Sequence, residues 1–92
     1  MRVMYSILSL LYREGVNSKL VSLTQKEIQK CLEDEGEKYC DRTMYLKCTE
    51  LLKNGFIKEG MKNKNARTFY IGADGIEWLS EMQKSEVEEN GK

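Results

Sequence analysis

The apolar residues in the first third of the chain predict two helices separated by a polar loop. A largely apolar run predicts a first helix over Arg2–Glu14, ended by Gly15. In the loop that follows, a short strand is predicted at Leu20–Val21. Thr24 and Glu27 then form a capping-box pattern, in which each side chain bonds a free backbone N–H of the first helical turn. This pattern predicts that a second helix begins directly after Thr24.

The middle of the chain predicts a third helix. An acidic turn containing glycine, residues 33–37, precedes this helix, which is predicted over Asp41–Asn54 with Asp41 as its N-terminal cap. Gly55 follows as the left-handed residue that ends the helix. Its apolar residues recur at helical spacing, so the predicted buried face consists of Met44, Cys48, Leu51 and Leu52.

The spacing of apolar residues changes to a period of two after the third helix. Two strands are predicted, Phe56–Gly60 and Thr68–Gly72, and in the second strand Phe69 and Ile71 alternate with Thr68 and Tyr70. Residues 61–67 between the strands form a polar, basic hairpin tip. A fourth helix is predicted from about Ala73, and its acidic end is expected to fray.

The order of three helices, a hairpin and a last helix is that of a winged helix-turn-helix, an α+β fold that is mostly helical. In the helix-turn-helix motif a short turn, often containing glycine, joins the second and third helices, as it does here. A chain of 92 residues can form one modest core. We therefore predict a single DNA-binding domain over residues 1–84, with three core helices, a two-stranded wing and a C-terminal helix, and an acidic tail over residues 85–92.

The segment from Arg42 to Ile57 resembles the recognition helix and first wing strand of the MarR and PadR-like winged-helix regulators. The segment Phe69–Gly75 is similar to the second wing strand of that family and the turn into its last helix, with Gly72 where a threonine cap is usual. The resemblance implies a transcriptional regulator that binds double-stranded DNA, in the manner of a repressor. The residues that carry the first match are Thr43, Met44, Tyr45, Leu51, Gly55, Phe56 and Ile57.

The charges are distributed unevenly, although 15 basic and 15 acidic residues give a formal net charge of zero. Residues 38–67 contain eight basic and three acidic residues, a net charge of +5, whereas residues 74–92 contain two basic and six acidic residues, a net charge of −4. A local basic segment is typical of nucleic-acid contact, and a polyanion repels an acidic one. The middle of the chain is therefore the predicted DNA-binding region.

The candidate DNA contacts lie on the third helix and on the hairpin tip. A recognition helix presents its N-terminal half to the major groove, and a basic wing suits phosphate or minor-groove contact. The alternatives are ordinary solvated charges and a merely soluble loop, and Tyr45 is either a hydroxyl donor to phosphate or a partly buried filler. The predicted contacts are Arg42, Thr43, Tyr45, Leu46 and Lys47 on the helix, and Lys62, Lys64 and Arg67 on the tip.

The first helix is apolar on more than one side, and such a helix must be covered on more than one side. In a chain this short, a second subunit is one source of that cover. We expect a homodimer that places two recognition helices in successive major grooves of a roughly palindromic site. The alternative is that the same residues complete the core of a monomer. The predicted interface consists of Met4, Tyr5, Leu8, Trp78 and Met82.

The remaining side-chain chemistry favours neither an enzyme nor a metal protein. The sequence has an odd number of cysteines at irregular spacing and no histidine, so no disulfide framework or zinc site is indicated. The cysteines are Cys31, Cys40 and Cys48. Cys40 is interpreted as structural or incidental, with a redox-active thiol as the alternative. No nucleophile with a matching base stands out, so no catalysis and no cofactor are predicted. The apolar run Val3–Tyr12 is about half a membrane span, so no membrane partner is expected. The cysteine pattern indicates a reducing cytoplasm as the location.

A protein-interaction adaptor is the second interpretation of this winged helix, in phage, plasmid, replication or partition machinery. The zero net charge is the feature that supports it. No feature of the sequence points to a particular small-molecule effector.

Overall fold

Four α-helices and a three-stranded antiparallel sheet make up the described part of the chain. The computed structural model describes the backbone of residues 2–90 and the side chains of residues 2–83. The order of elements confirms the predicted α+β, mostly helical winged helix-turn-helix. The elements are α1 (Arg2–Arg13), β1 (Leu23–Thr24), α2 (Gln25–Asp34), α3 (Asp41–Lys53), β2 (Ile57–Glu59), β3 (Thr68–Ile71) and α4 (Ala73–Asn90).

Helix α1 lies at the centre of the fold, in contact with α2, α3, α4 and β3. Neighbours within the same chain therefore cover it on several sides, which explains its broad apolar surface without a second subunit. Met4 and Leu8 are core residues with 5% and 0% of their surface exposed. This corrects the prediction that they lie in a dimer interface. The other core residues are Ile7, Leu10, Leu11, Val16, Ile28, Leu32, Met44, Cys48, Leu51, Ile57, Phe69, Ile71 and Leu79.

Strand β3 is the centre of the sheet and pairs antiparallel with β1 on one side and β2 on the other. Strands β2 and β3 lie within the two predicted wing strands. The strand predicted at Leu20–Val21 is instead found at β1, where Leu23 pairs with Phe69. The prediction was wrong by three residues because the N–H of Val21 donates to the carbonyl of Ser18 (3.1 Å) in a turn, and Leu20 is 83% exposed.

The helix ends follow the local sequence signals, with one exception. The hydroxyl of Thr24 accepts from the N–H of Glu27 (3.2 Å), and the Glu27 carboxylate accepts from the N–H of Thr24 (2.8 Å), as the capping box predicts. Gly55 has a φ of +78°, the left-handed conformation predicted after α3. The exception is Asp41, which is the first helical residue of α3, while Cys40 takes the cap position without a side-chain hydrogen bond to the backbone. The acidic Asp41 still lies favourably at the positive end of the helix dipole.

Gly75 allows the start of α4 to approach the chain between α3 and β2. A Cβ at Gly75 would lie 2.2 Å from the carbonyl oxygen of Phe56, a separation that no side chain can adopt. A Cβ at Gly72 would lie 3.3 Å from Cε of Lys58, and the N–H of Gly72 donates to the same Phe56 carbonyl (2.9 Å). Close packing therefore requires glycine at position 75, whereas at position 72 the flexible Lys58 side chain could move to accommodate a larger residue.

Helix α4 extends beyond the boundary predicted after residue 84. Its backbone is helical to Asn90, so the segment expected to fray from Ser85 begins as part of the helix. Residues 91 and 92, the end of the predicted tail, lie outside the described residues. Between residues 2 and 90, no helix is both long and apolar enough to cross a membrane.

Candidate nucleic-acid interface

Helix α3 has a buried face and an exposed face. The buried face packs against α1 and α2, as its apolar spacing predicts. On the exposed face, Tyr45 and Leu46 retain 51% and 49% of their surface, and we call these two residues the α3 patch. The predicted contacts omit Thr49, although its spacing from Arg42 places it on the same face. The exposed stripe, spaced i, i+3, i+4 and i+7, consists of Arg42, Tyr45, Leu46 and Thr49.

The two remaining predicted contacts on α3, Thr43 and Lys47, are half-buried. The Thr43 hydroxyl lies 3.2 Å from Sγ of Cys40. Nζ of Lys47 lies 3.6 Å from a carboxylate oxygen of Glu50, which partly offsets the charge of this lysine. Arg42 is therefore the exposed cation in the N-terminal half of α3.

Two glutamines of α2 hold the turn that leads into α3. Nε2 of Gln29 donates to the carbonyl of Tyr39 (2.9 Å), and Nε2 of Gln25 donates to the carbonyl of Asp41 (3.1 Å). These carbonyls flank the N-terminus of α3, so the position of the helix is set by α2.

The Glu37 carboxylate ties the same turn to α1. One of its oxygens accepts hydrogen bonds from the hydroxyls of Ser6 (2.7 Å) and Tyr39 (2.8 Å), and Nε of Arg2 lies 4.0 Å away. Because these hydrogen bonds favour the ionised form, they hold the pKa of Glu37 below its ordinary value. The same contact with Glu37 raises the pKa of Tyr39. The start of α3 is thus fixed to the buried central helix.

The hairpin tip is a tight turn. Asn63 and Ala66 exchange backbone hydrogen bonds of 3.0 and 2.9 Å. Between them, Lys64 and Asn65 have φ values of +50° and +70°. Two consecutive residues with positive φ are typical of a type I′ turn, which asparagine adopts more readily than lysine. Lys64 therefore lies at the end of the wing, with Lys62 nearby, and both side chains are exposed.

Thr68 fixes the base of the wing. Its hydroxyl donates to the carbonyl of Met61 (2.6 Å) and accepts from the hydroxyl of Ser22 (2.9 Å). Thr68 is consequently buried, with 3% of its surface exposed. The predicted alternation places Thr68 and Phe69 on opposite faces of β3, and both residues are buried. Thr68 is tolerated inside because its hydroxyl finds these polar partners.

Arg67 lies at the base of the wing rather than at its tip. Its guanidinium carbon lies 5.5 Å from the ring centroid of Phe69, a cation–π contact. A groove of about 380 Å³ separates the starts of α2 and α3 from β3, and Lys26, Asp41 and Arg67 are among the residues that line it. Lys26 is not among the predicted contacts, because it lies outside the basic segment of the sequence and reaches the groove only through the fold.

Three residues of the predicted dimer interface, Tyr5, Trp78 and Met82, are half-buried on α1 and α4. The ring of Trp78 packs against Phe56, with centroids 5.7 Å apart. Helices α1 and α4 are in contact with each other. These three side chains therefore keep part of their surface free for a further contact.

The three cysteines lie in different environments. Burial raises the pKa of Cys48 to about 11, although the positive charge of Arg67 acts in the opposite direction. Burial also raises the pKa of Cys31. Cys40 is exposed, and a hydrogen bond with the Thr43 hydroxyl lowers its pKa. Over the described residues, no group of three or more His, Cys, Asp or Glu side chains could hold a metal ion.

Comparison with known proteins bears on the fold. No protein-family model and no curated protein matches the sequence. Among solved structures, RosR from H. salinarum is similar at a TM-score of 0.76 and 14% identity, over 97% of this chain and 76% of that one. The complex structure hsRosR-S4 is similar at a TM-score of 0.77 and 13% identity, over 97% and 72% of the two chains.

A PadR-like transcription factor from Bacteroides fragilis is also similar. Its TM-score is 0.79 at 16% identity, over 98% of this chain and 84% of that one. At this level of identity the likeness concerns the fold. It agrees with the element order and with the resemblance of the α3 and wing segments. The chain therefore has the winged-helix fold found in this PadR-like transcription factor and in RosR.

Proposed function

We propose that this chain is a transcription regulator that binds double-stranded DNA in a sequence-specific way. In this proposal α3 enters the major groove and the β2–β3 hairpin contacts the backbone beside it. The observation that carries the proposal is that basic groups from two other elements lie beside the start of α3. Lys26 of α2 and Arg67 of the wing line the same groove as Asp41, the first residue of α3.

The charges around α3 suit a DNA backbone. Lysine and arginine side chains neutralise phosphates and so position a protein on the duplex, whereas contacts to base edges provide specificity. Arg42, Lys62 and Lys64 are exposed, and the turn before α3 is anchored to two helices. A recognition helix held in this way loses little conformational freedom when it binds.

A salt titration tests the proposal. The parent chain should bind a fluorescent random-sequence duplex with an affinity that falls steeply as salt rises. Replacing Lys62, Lys64 and Arg67 together by alanine should weaken binding to all sequences and reduce the log–log salt slope by about two to three units. Arg13→Ala removes one positive charge from the end of α1 and should leave the slope unchanged. Binding that is indifferent to salt, or no binding at low salt, would contradict the proposal.

We propose further that the regulator acts as a homodimer and as a repressor that occupies its site. One recognition helix reads only a few base pairs, so two copies at a fixed separation provide more useful specificity. The half-buried Tyr5, Trp78 and Met82 supply the apolar surface for this contact, and a buried aromatic residue often carries much of an interface energy. All three cysteines are free, which agrees with the reducing cytoplasm in which we place the protein.

Sedimentation tests the dimer separately from DNA binding. The parent should sediment as a dimer at micromolar concentration, and Trp78→Ala should shift it toward the monomer and weaken binding to a palindromic site. Circular dichroism of the variant checks that the fold is retained. A monomeric parent would rule out the dimer and leave a monomer that binds DNA.

A protein-interaction adaptor is the second candidate function. The half-exposed Tyr45 and Leu46 favour it, because apolar surface of this kind is also used to bind proteins. The zero net charge of the chain favours it as well. The salt titration separates the two functions, since an adaptor does not need to bind the duplex.

A further inference from the structure

The charged residues around the α3 patch do not explain why apolar side chains are exposed there. Leu46 is 49% exposed in the middle of the face proposed to read DNA. A leucine side chain carries neither charge nor hydrogen-bonding groups, so it cannot bind a phosphate or a polar base edge. Its available contribution is contact with another apolar group, which removes both surfaces from water. Tyr45 beside it adds the apolar body of an aromatic ring.

Duplex DNA offers a distinctive apolar partner in the major groove. The edges of the base pairs there carry hydrogen-bond donors and acceptors, and thymine adds a C5-methyl group. Apolar side chains contact this methyl group in DNA-binding proteins, whereas uracil pairs identically but lacks it. An exposed leucine on a recognition helix therefore matches thymine by its chemistry.

The charges near the patch favour DNA over a protein as its occupant. Arg42 lies one helical turn before Leu46 on the same exposed stripe. Lys26 and Arg67 line the groove beside the start of α3. Two acidic residues lie nearby. Asp41 lines the same groove. Glu50 lies one turn after Leu46, and its charge is partly offset by Lys47 at 3.6 Å. An apolar centre with basic residues on one side is complementary to a duplex, which presents thymine methyl groups between two rows of phosphates.

We propose that Leu46, with Tyr45 beside it, contacts thymine methyl groups in the major groove and makes the chain select thymine at the centre of its half-site. This inference rests on the proposed DNA-binding function and adds the base chemistry that α3 recognises. Arg42 and the wing then contribute affinity and position, while the patch distinguishes thymine from bases that lack the methyl group.

Replacing thymine by deoxyuridine tests the inference. The parent chain is first used to select a duplex from a random-sequence library, and the selected duplex is then synthesised with thymine or with deoxyuridine at every T position. The parent should bind the deoxyuridine duplex more weakly, by about fourfold for each methyl group contacted. Leu46→Ala should show a clearly smaller preference for the thymine duplex than the parent, since only Tyr45 and a shortened side chain then remain to contact the methyl groups. Because Leu46 is half-exposed, this variant should retain the fold, which circular dichroism checks.

Leu20→Ala is the matched control, because it makes the same chemical change at an 83% exposed leucine outside α3. This control should keep the preference of the parent for thymine. Equal binding of the two duplexes by the parent would overturn the inference and leave the proposed function intact. A Leu46→Ala variant that still prefers thymine as strongly as the parent would overturn it as well. If the selection yields no bound duplex at low salt, the proposed function fails and the inference fails with it.

Discussion

Helices α1 and α3 both carry apolar residues outside a single narrow stripe, but their surroundings differ. Three helices and a strand cover α1, and Ile7, Leu8 and Leu11 have 0% of their surface exposed. On α3, Tyr45 and Leu46 remain about half exposed. Excess apolar surface on a helix therefore has two origins, a central place in the core or a face prepared for a partner. The surroundings of the helix distinguish them.

The two helices are also connected mechanically. Ser6 of α1 and Tyr39, just before α3, donate hydrogen bonds to the same oxygen of Glu37. The covered helix thus helps to hold the uncovered one in position. In the proposed function, the core is the base from which the exposed face of α3 enters a groove of the DNA.

Truncating one leucine on each helix should give the largest difference in the free energy of unfolding. Leu8→Ala should lower the free energy of unfolding by about 2–5 kcal/mol, because it leaves a cavity in the core. Leu46→Ala should change it by less than about 0.5 kcal/mol, since an exposed side chain contributes little to folding. Urea denaturation of both variants measures the difference. Similar losses in the two variants would mean that the α3 patch belongs to the core and is not a free surface.

Acid should weaken the link between the two helices. Because the pKa of folded Glu37 lies below its ordinary value of 4.5, its ionised form adds stability above that pH. That contribution is lost as the pH falls through the lower pKa of the folded state. Between pH 6 and pH 3 the parent should therefore lose more stability than Glu37→Gln, by urea denaturation at each pH. Parallel pH profiles for the two proteins would show that the Glu37 carboxylate does not connect the helices.

A change at the wing tip should have a small and favourable effect on stability. Lys64 adopts a positive φ that glycine tolerates better, so Lys64→Gly should stabilise the fold by about 0.5 kcal/mol after the entropy cost of glycine is included. The same change removes one cation and should reduce the salt slope of DNA binding by about one unit. Thermal unfolding and the salt titration measure the two effects. A variant that gains stability and also binds DNA as tightly as the parent would place Lys64 outside the interface.

Local signals in the sequence were sufficient to predict most of the elements. The capping box at Thr24 and Glu27 and the left-handed Gly55 depend on neighbouring residues alone, and both are confirmed. The exposure of Arg42, Tyr45 and Leu46 also follows from helical spacing. These features could be predicted because the interactions that determine them span only a few positions along the chain.

The features that the sequence did not predict depend on contacts between distant segments. The burial of Met4 and Leu8 depends on which elements surround α1, and Thr68 is buried because Ser22 and Met61 supply its hydrogen bonds. Lys26 joins the candidate site only because α2 begins beside β3. Periodicity shows that a residue faces inward or outward, but it does not identify the segment that lies opposite.

An NMR titration of the amide resonances tests the central claim, that α3 carries the DNA-reading surface and α1 the core. The parent chain is titrated with the duplex that it selects from a random library. We predict that the largest shifts occur in the exposed stripe of α3 and at residues 61–67 of the wing, while the buried residues of α1 change little. Binding of the duplex that leaves the amides of the exposed α3 stripe unshifted would contradict this claim; these are the amides of Arg42, Tyr45, Leu46 and Thr49.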